Sequence, residues 1–453
     1  MHDSAPPAQR SIFVTPDGKN LLGVFILVTT LFALWGFCNG IIDVMDKHFQ
    51  KELNLNLAQS AWVQFAHYLG YFLMALPAGW LATKLGYKGG IIMGLAMVAI
   101  GGFWFIPATH INQFWAFLLG VCFIAAGLTF LETVANPYTT VLGDQRYAAT
   151  RINLAQSFNG IGWLAGPFVG GLFFYSEDAA GKSTGSANLW IPYTAVAIVV
   201  LVLAVLFFFI NLPDIKTEDD YHIDDPADTV HPHSIWAHPH FVLAVAAQFL
   251  YVAAQASIFS FFINYMTSQI PPIPAAWNAG WFGHLLKTGS DGALILSDRG
   301  AATVASAGTF CFLIGRFTGA AILKKFAAYR VLGLYGALNA LVCLLIFLKL
   351  GWLSGACVFL SYFFMSIMFP TIFALGIHGL GVRAKKASAF IVMAIMGGAI
   401  LPKLMGYIAD KTDLSRGFIV PLACFALVAA YGFFWPRLAQ SEGLTGLAVT
   451  GGH

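Results

Sequence analysis

The chain has 453 residues, of which 58% are apolar and only 10% charged, with a mean hydropathy of +0.74. A soluble domain carries about 25% charged residues, so the composition excludes one and implies an integral membrane protein in contact with lipid. The formal net charge of +3 supplies no basic surface of the kind that holds nucleic acid, and no such partner is expected.

Residues 1–20 are polar and read as a cytoplasmic tail. They lack the apolar core and small-residue cleavage pattern of a signal peptide, so the first apolar run is expected to be retained. Twelve apolar runs follow, each of about the 20 residues that cross a bilayer as a helix. They lie at about 21–46, 58–83, 89–108, 112–141, 150–176, 189–212, 238–266, 300–323, 329–350, 353–378, 386–410 and 416–436. Between the sixth and seventh, residues 213–237 are rich in acid, histidine and proline and read as a solvated linker. Its histidines match no metal-ligand spacing. A second polar segment, about 267–299, is expected outside as a cap or loop, and 437–453 form a C-terminal tail. Cys38, Cys122, Cys311, Cys343, Cys357 and Cys424 all fall in apolar runs, where thiols behave as small apolar groups and imply no disulfide framework.

An even number of spans leaves both termini on one side. That side collects most of the lysine and arginine, including Lys84, Lys88, Arg146, Lys324, Lys325, Arg330, Lys385 and Lys386, so the termini are placed in the cytoplasm of an inner-membrane protein. The two halves also repeat one another. Pro137 and Gly143 in span four match Pro370 and Gly376 in span ten. Gly162, Pro167 and Gly171 in span five match Gly397, Pro402 and Gly406 in span eleven, and Gly79, Lys84 and Lys88 match Gly319, Lys324 and Arg330. The fold expected is all-α, with twelve transmembrane helices in two pseudo-symmetric six-helix halves, 21–212 and 238–436. In such a duplication a site lies between the halves at mid-membrane.

Acids inside apolar spans are costly and mark ion or substrate paths. Asp43 on span one and Glu132 on span four are such acids. Trp35, Asn39 and Asp43 recur every four residues and so share a helical face, as do Glu132 and Asn136. Gln156 and Asn159 are neighbours on span five, and Gln248, Tyr251 and Gln255 form a stripe on span seven expected to face the same cavity. An indole can stack on the C–H face of a pyranose, while amides and acids replace the hydrogen bonds a sugar loses with its water. A cavity lined with amides and bare of fixed cations suits a neutral polyol, with Asp43 and Glu132 carrying protons. Interhelical hydrogen bonding is the competing role for the amides. Asp46 lies near the outer interface. His67 on span two is either a hydrogen-bonded structural residue or a proton relay. Lys403 on span eleven either extends its head outward or pairs with Asp43 or Asp46. Arg316 is expected at the cytoplasmic end as a gate or packing residue. No nucleophile elbow, metal cluster or cofactor loop is evident, so neither catalysis nor a cofactor is expected.

The runs LFALWGFCNGIIDVM, GYFLMALPAGWLATKLGYKGGI, LETVANPYTTVLG, RINLAQSFNGIG, AQFLYVAAQA, IGRFTG and FPTIFALGI resemble the fucose/galactose/glucose–proton symporter branch of the major facilitator superfamily. The resemblance covers about 20–436 apart from the linker and two outer loops. It implies the major facilitator fold, a monomer, proton-coupled sugar uptake, proton coupling and sugar binding at Asp43 and Glu132, and sugar contact at Gln156 and Asn159. The chain departs from the branch at Gly40, where a second asparagine is usual, and at Met368 and Phe369, where a glutamine–tyrosine pair is usual. Two polar contacts are therefore missing, and the identity of the hexose stays open. So do sodium in place of the proton and a proton-coupled antiporter of another small solute.

Overall fold

The computed structural model describes residues 12–15, 18–52, 62–174, 190–210, 212, 234–278, 280–289 and 292–441. The proposed linker, 213–237, lies almost wholly outside the described residues. The helices in chain order are α1 (Leu22–Glu52), α2 (Trp62–Ile111), α3 (Phe114–Val141), α4 (Ala148–Phe174), α5 (Trp190–Phe209), α6 (Pro239–Ser268), α7 (Asp298–Leu323), α8 (Ala328–Phe347), α9 (Trp352–Met365), α10 (Met368–Ile377), α11 (Ala384–Met393), α12 (Gly397–Lys411), α13 (Leu414–Gly417) and α14 (Ile419–Ser441).

These make the twelve crossings expected. The α2 helix supplies two, because its 50 residues are interrupted at Gly86, whose φ of 70° and ψ of −174° lie outside the helical region and favour glycine. The tenth crossing is broken into α9 and α10 at Ser366–Ile367, four and three residues before Pro370. Proline has no N–H to donate to the carbonyl four residues earlier, which removes one rung of the helix at that point. The eleventh is likewise divided, with one 3-10 turn, Ala394–Met396, between α11 and α12.

Within the first half, α1 packs along α4. A Cβ at Gly36 would collide with the carbonyl of Asn159, and one at Gly162 with that of Ala33. The two backbones therefore touch, as small residues allow in a membrane where dispersion and close packing drive helix association. The C-terminal end of α3 is held by Arg151, which is fully buried at the start of α4. Its Nε donates to Thr139 O at 2.9 Å, and its guanidinium also donates to the carbonyls of Thr140, Gly143 and Asp144. One further N–H reaches Ile12 O at 2.8 Å, tying the N-terminal strip to the same point. Of these, the Thr139 and Thr140 carbonyls belong to the last turn of α3, where a helix end leaves carbonyls without intrahelical partners.

The polar segment after α6 is more ordered than a simple loop. It folds into 3-10 turns and a short antiparallel hairpin, Leu286–Thr288 with Leu294–Leu296 (β1 and β2), before Ser297 caps α7 by accepting from Gly300 N. The two halves meet closely at the end of the bundle that carries the termini. Asn153 of α4 donates to Thr371 Oγ1 of α10 at 3.1 Å. Gly79 of α2 leaves no room for a Cβ beside Ala389 of α11, and the Lys385 ammonium lies 4.3 Å from the Tyr87 ring.

Candidate functional site

A cavity of about 140 Å³ lies between the halves, above this closed end. The first half contributes Trp35, Asn39, Tyr71, Glu132, Gln156 and Trp163, with Ile42, His67, Tyr68 and Asn159 beside them; the second contributes Val252, Gln255, Arg316, Phe369 and Ile395.

Glu132 is the acid at its centre. Every residue of α3 from Ile124 to Thr140 is buried, so this stretch has no lipid face and the carboxyl points into protein. Tyr71 of α2 lies beside Glu132, Trp35 and Asn39. The Tyr71 hydroxyl is within hydrogen-bond reach of the Glu132 carboxyl, Trp35 and Asn39, yet no well-aligned bond closes on either Glu132 oxygen, Trp35 Nε1, Asn39 Oδ1 or His67 Nδ1 among the described residues. Buried polar groups are normally paired. A cluster left open around one space is arranged for something that enters it.

Below Glu132 a chain of side chains crosses the boundary. Arg316 Nη1 donates to both Gln156 O and Gln156 Oε1, each at 2.7 Å. Gln156 Nε2 in turn donates to Asn136 Oδ1 at 3.1 Å. The guanidinium also lies 4.7 Å from the Phe312 ring. On the opposite side of the cavity, Trp163 of α4 lies 5.1 Å from Phe259 of α6 and 6.3 Å from Phe312 of α7. Gly398 of α12 packs against the Tyr68 hydroxyl.

Of the residues singled out in the sequence, Trp35, Asn39, His67, Glu132, Gln156, Asn159 and Gln255 are brought together around this space. Asn159 also donates to Phe32 O at 3.3 Å. Others are not. Asn136 is one turn beyond Glu132 and reaches the cavity only through Gln156. The stripe on α6 does not face the site as a whole: Gln248 is buried away from it, and Tyr251 donates its hydroxyl to Met365 O at 3.0 Å. Seven residues of helix rise about 10 Å, longer than the stretch of α6 that borders the cavity, so only Gln255 meets it. Lys403 is exposed on α12, which accords with an outward-extended head. Asp43 and Asp46 are on α1, but their side chains lie outside the described residues.

One expectation about charge needs correction: the cavity is not bare of fixed cations, because Arg316 lines it. Arg316, read from the sequence as a gate or packing residue, bonds to Gln156 of the other half. Nothing in the sequence pointed to Tyr71 or Trp163 as lining residues; aromatic side chains in apolar spans look like packing. Phe369 occupies one of the positions where a polar pair was missing.

The Major Facilitator Superfamily profile matches residues 21–384. The chain belongs to the major facilitator superfamily. Within this superfamily it is 33% identical over 434 residues to the L-fucose-proton symporter of Escherichia coli K12, covering 92% of this chain and 94% of that one. It is also 33% identical over 420 residues to a glucose/galactose transporter of Brucella abortus, covering 92% and 95% respectively. The crystal structure of the Escherichia coli fucose:proton symporter superposes with a TM-score of 0.77 at 32% identity, over 92% of this chain and 99% of that one. The twelve-helix, two-half architecture is thus the fold of the superfamily, now with a polar cavity at the junction of its halves.

Proposed function

We propose that this protein takes up a hexose or hexose derivative together with protons by alternating access. The observation that carries the reading is Glu132: a carboxyl sealed inside the bundle, with the Tyr71 hydroxyl as its one polar neighbour within hydrogen-bond reach among the described residues and acceptor capacity left over, facing a cavity that both halves build. An unpaired buried charge is costly. The group is relieved by taking a proton or by accepting hydrogen bonds from a hydroxyl-bearing guest, and a symporter couples those two events. Trp35, Asn39, Gln156, Asn159 and Gln255 supply the stacking surface and amides a pyranose requires. The relatives named for L-fucose and for glucose and galactose support the same class of substrate.

In this reading the halves, 21–212 and 238–436, rock about the cavity while the linker 213–237 stays on the side of the termini. That side is the cytoplasm and the membrane the inner one, in keeping with the lysines and arginines gathered there. Asp43 is the second proton carrier, and Asn136, Gln248 and Tyr251 back the binding surface from one layer further out. The protein acts as a monomer, needs no cofactor and performs no catalysis. One charge entering down 100 mV supplies about 2.3 kcal/mol, enough for roughly fiftyfold accumulation.

Purified protein in liposomes, offered a panel of radiolabelled hexoses with and without an imposed pH gradient, tests this directly. A hexose concentrated only when the outside is acidic supports the reading. Uptake driven by sodium at equal pH replaces the coupling ion, and no hexose moved under either gradient ends the proposal.

A further inference from the structure

The sugar-uptake reading assigns the acids and amides but leaves His67 without a task. Its ring is 8% exposed and sits on the wall of the cavity. Around it are aromatic rings: Tyr71 at 5.0 Å and tilted, and Tyr68 at 5.7 Å and edge-on. Nδ1 is buried and has no hydrogen-bond partner among the described residues. Asn39 and Trp35, whose buried Oδ1 and Nε1 close no well-aligned bond, border the same space beside the Tyr71 hydroxyl.

A histidine kept for structure has its buried nitrogens bonded, because a buried polar atom without a partner is destabilising. A histidine on a proton relay has a titratable group within hydrogen-bond reach. Among the described residues the group adjoining Glu132 is the Tyr71 hydroxyl, and the contact between His67 and Tyr71 is one of tilted rings. A guest hydroxyl meets both needs. It donates and accepts, so it satisfies Nδ1 whichever nitrogen of the neutral imidazole carries the proton.

Resting on the sugar-uptake reading, we propose that His67 is a specificity-determining residue that hydrogen-bonds one particular hydroxyl of the bound hexose through Nδ1. The hexose edge it reads is the one turned toward α1 and α2, next to the edge held by Trp35 and Asn39. A site built to bond a hydroxyl rejects the analogue lacking it, because the site's own polar atom is then stranded. An apolar ring at the same position has nothing to strand.

The test compares wild type, His67→Phe and His67→Gln in liposomes, using the transported hexose and its singly deoxygenated analogues. In wild type, one analogue is expected to show a KM raised about tenfold. In His67→Phe that gap closes to within about twofold at that position alone, with gaps at the other positions kept. His67→Gln, which can still donate and accept, retains most of it. His67→Asn draws the polar atoms back from the cavity and carries the same expectation as the phenylalanine variant should that variant fail to fold. An unchanged deoxy pattern in a folded variant overturns the assignment. So does a shifted pH profile with the pattern intact, which is the mark of a relay. If wild type moves no hexose, the uptake reading fails first and this assignment with it.

Discussion

Arg316 and Gln156 join the two halves of the protein by a forked contact, one guanidinium nitrogen serving both the backbone and side-chain oxygens of a single glutamine at 2.7 Å. The same glutamine lines the cavity. One residue is therefore both part of the cavity wall and part of the contact between the halves.

Replacing Arg316 by alanine removes this link and leaves Gln156 oxygen unpaired. A charge-assisted hydrogen bond contributes about 1.5–3 kcal/mol, so transport is expected to fall by roughly ten- to a hundredfold. Lysine recovers little, because a single ammonium does not reproduce the planar spread of donors. Initial rates of uptake for the three proteins check this; equal rates for arginine and alanine would refute it.

Exchange of Glu132 for glutamine keeps the shape and hydrogen-bonding capacity of the side chain but removes the proton site. Counterflow of labelled against unlabelled hexose is expected to survive near the wild-type level, while accumulation against a gradient is lost. Full uphill uptake by Glu132→Gln would mean that the carboxyl does not carry the coupled proton.

The crossing of α1 and α4 has no space for side chains at Gly36 or Gly162. Gly162→Val is therefore expected to force the helices apart, at a cost of about 1–3 kcal/mol or more from overpacking. A lowered melting temperature in detergent, with reduced yield, is the expected result. A variant as stable as wild type would show that the helices do not approach this closely.

Outside the bundle, Lys349 and Asp413 pair at 2.6 Å between the loops that precede α9 and α13. Partial burial raises the Asp413 pKa, but Lys349 and the backbone N–H of Arg416 outweigh it and hold the carboxyl below its usual range. A depressed acid contributes stability that is full above its unfolded pKa, about 3.9, and is lost as pH falls through the lower folded value. Melting curves from pH 6 down to pH 3 should show a shallower acid-side decline in Asp413→Asn than in wild type. The difference is small, as the pair is partly exposed.

Much of the architecture was legible in the chain because a bilayer enforces it. Runs of about 20 apolar residues have to span, and the matching glycines and prolines of the two halves exposed the duplication. What escaped was local. The break at Ser366–Ile367 follows from Pro370, yet other prolines, Pro77 and Pro107 among them, sit inside continuous helices. In the site, Glu132, Asn39 and Gln156 were conspicuous because polar atoms are rare in such spans. Tyr71 and Trp163 were hidden for the converse reason. Gln248 and Tyr251 were over-read, since a shared helical face says nothing about how far along that face a cavity extends. Arg316 was noticed as a gate or packing residue, but its place on the cavity wall was not.

The grip of Arg151 on Ile12 bears on how the protein is handled in the laboratory. Residues 12–15 and 18–20 are fastened to the first half by that bond, by the Phe13–Phe25 ring contact and by the bridge from Val14 to Asn20. An affinity handle or fluorescent fusion that replaces this strip strips a buried guanidinium of one acceptor and loosens the loop after α3.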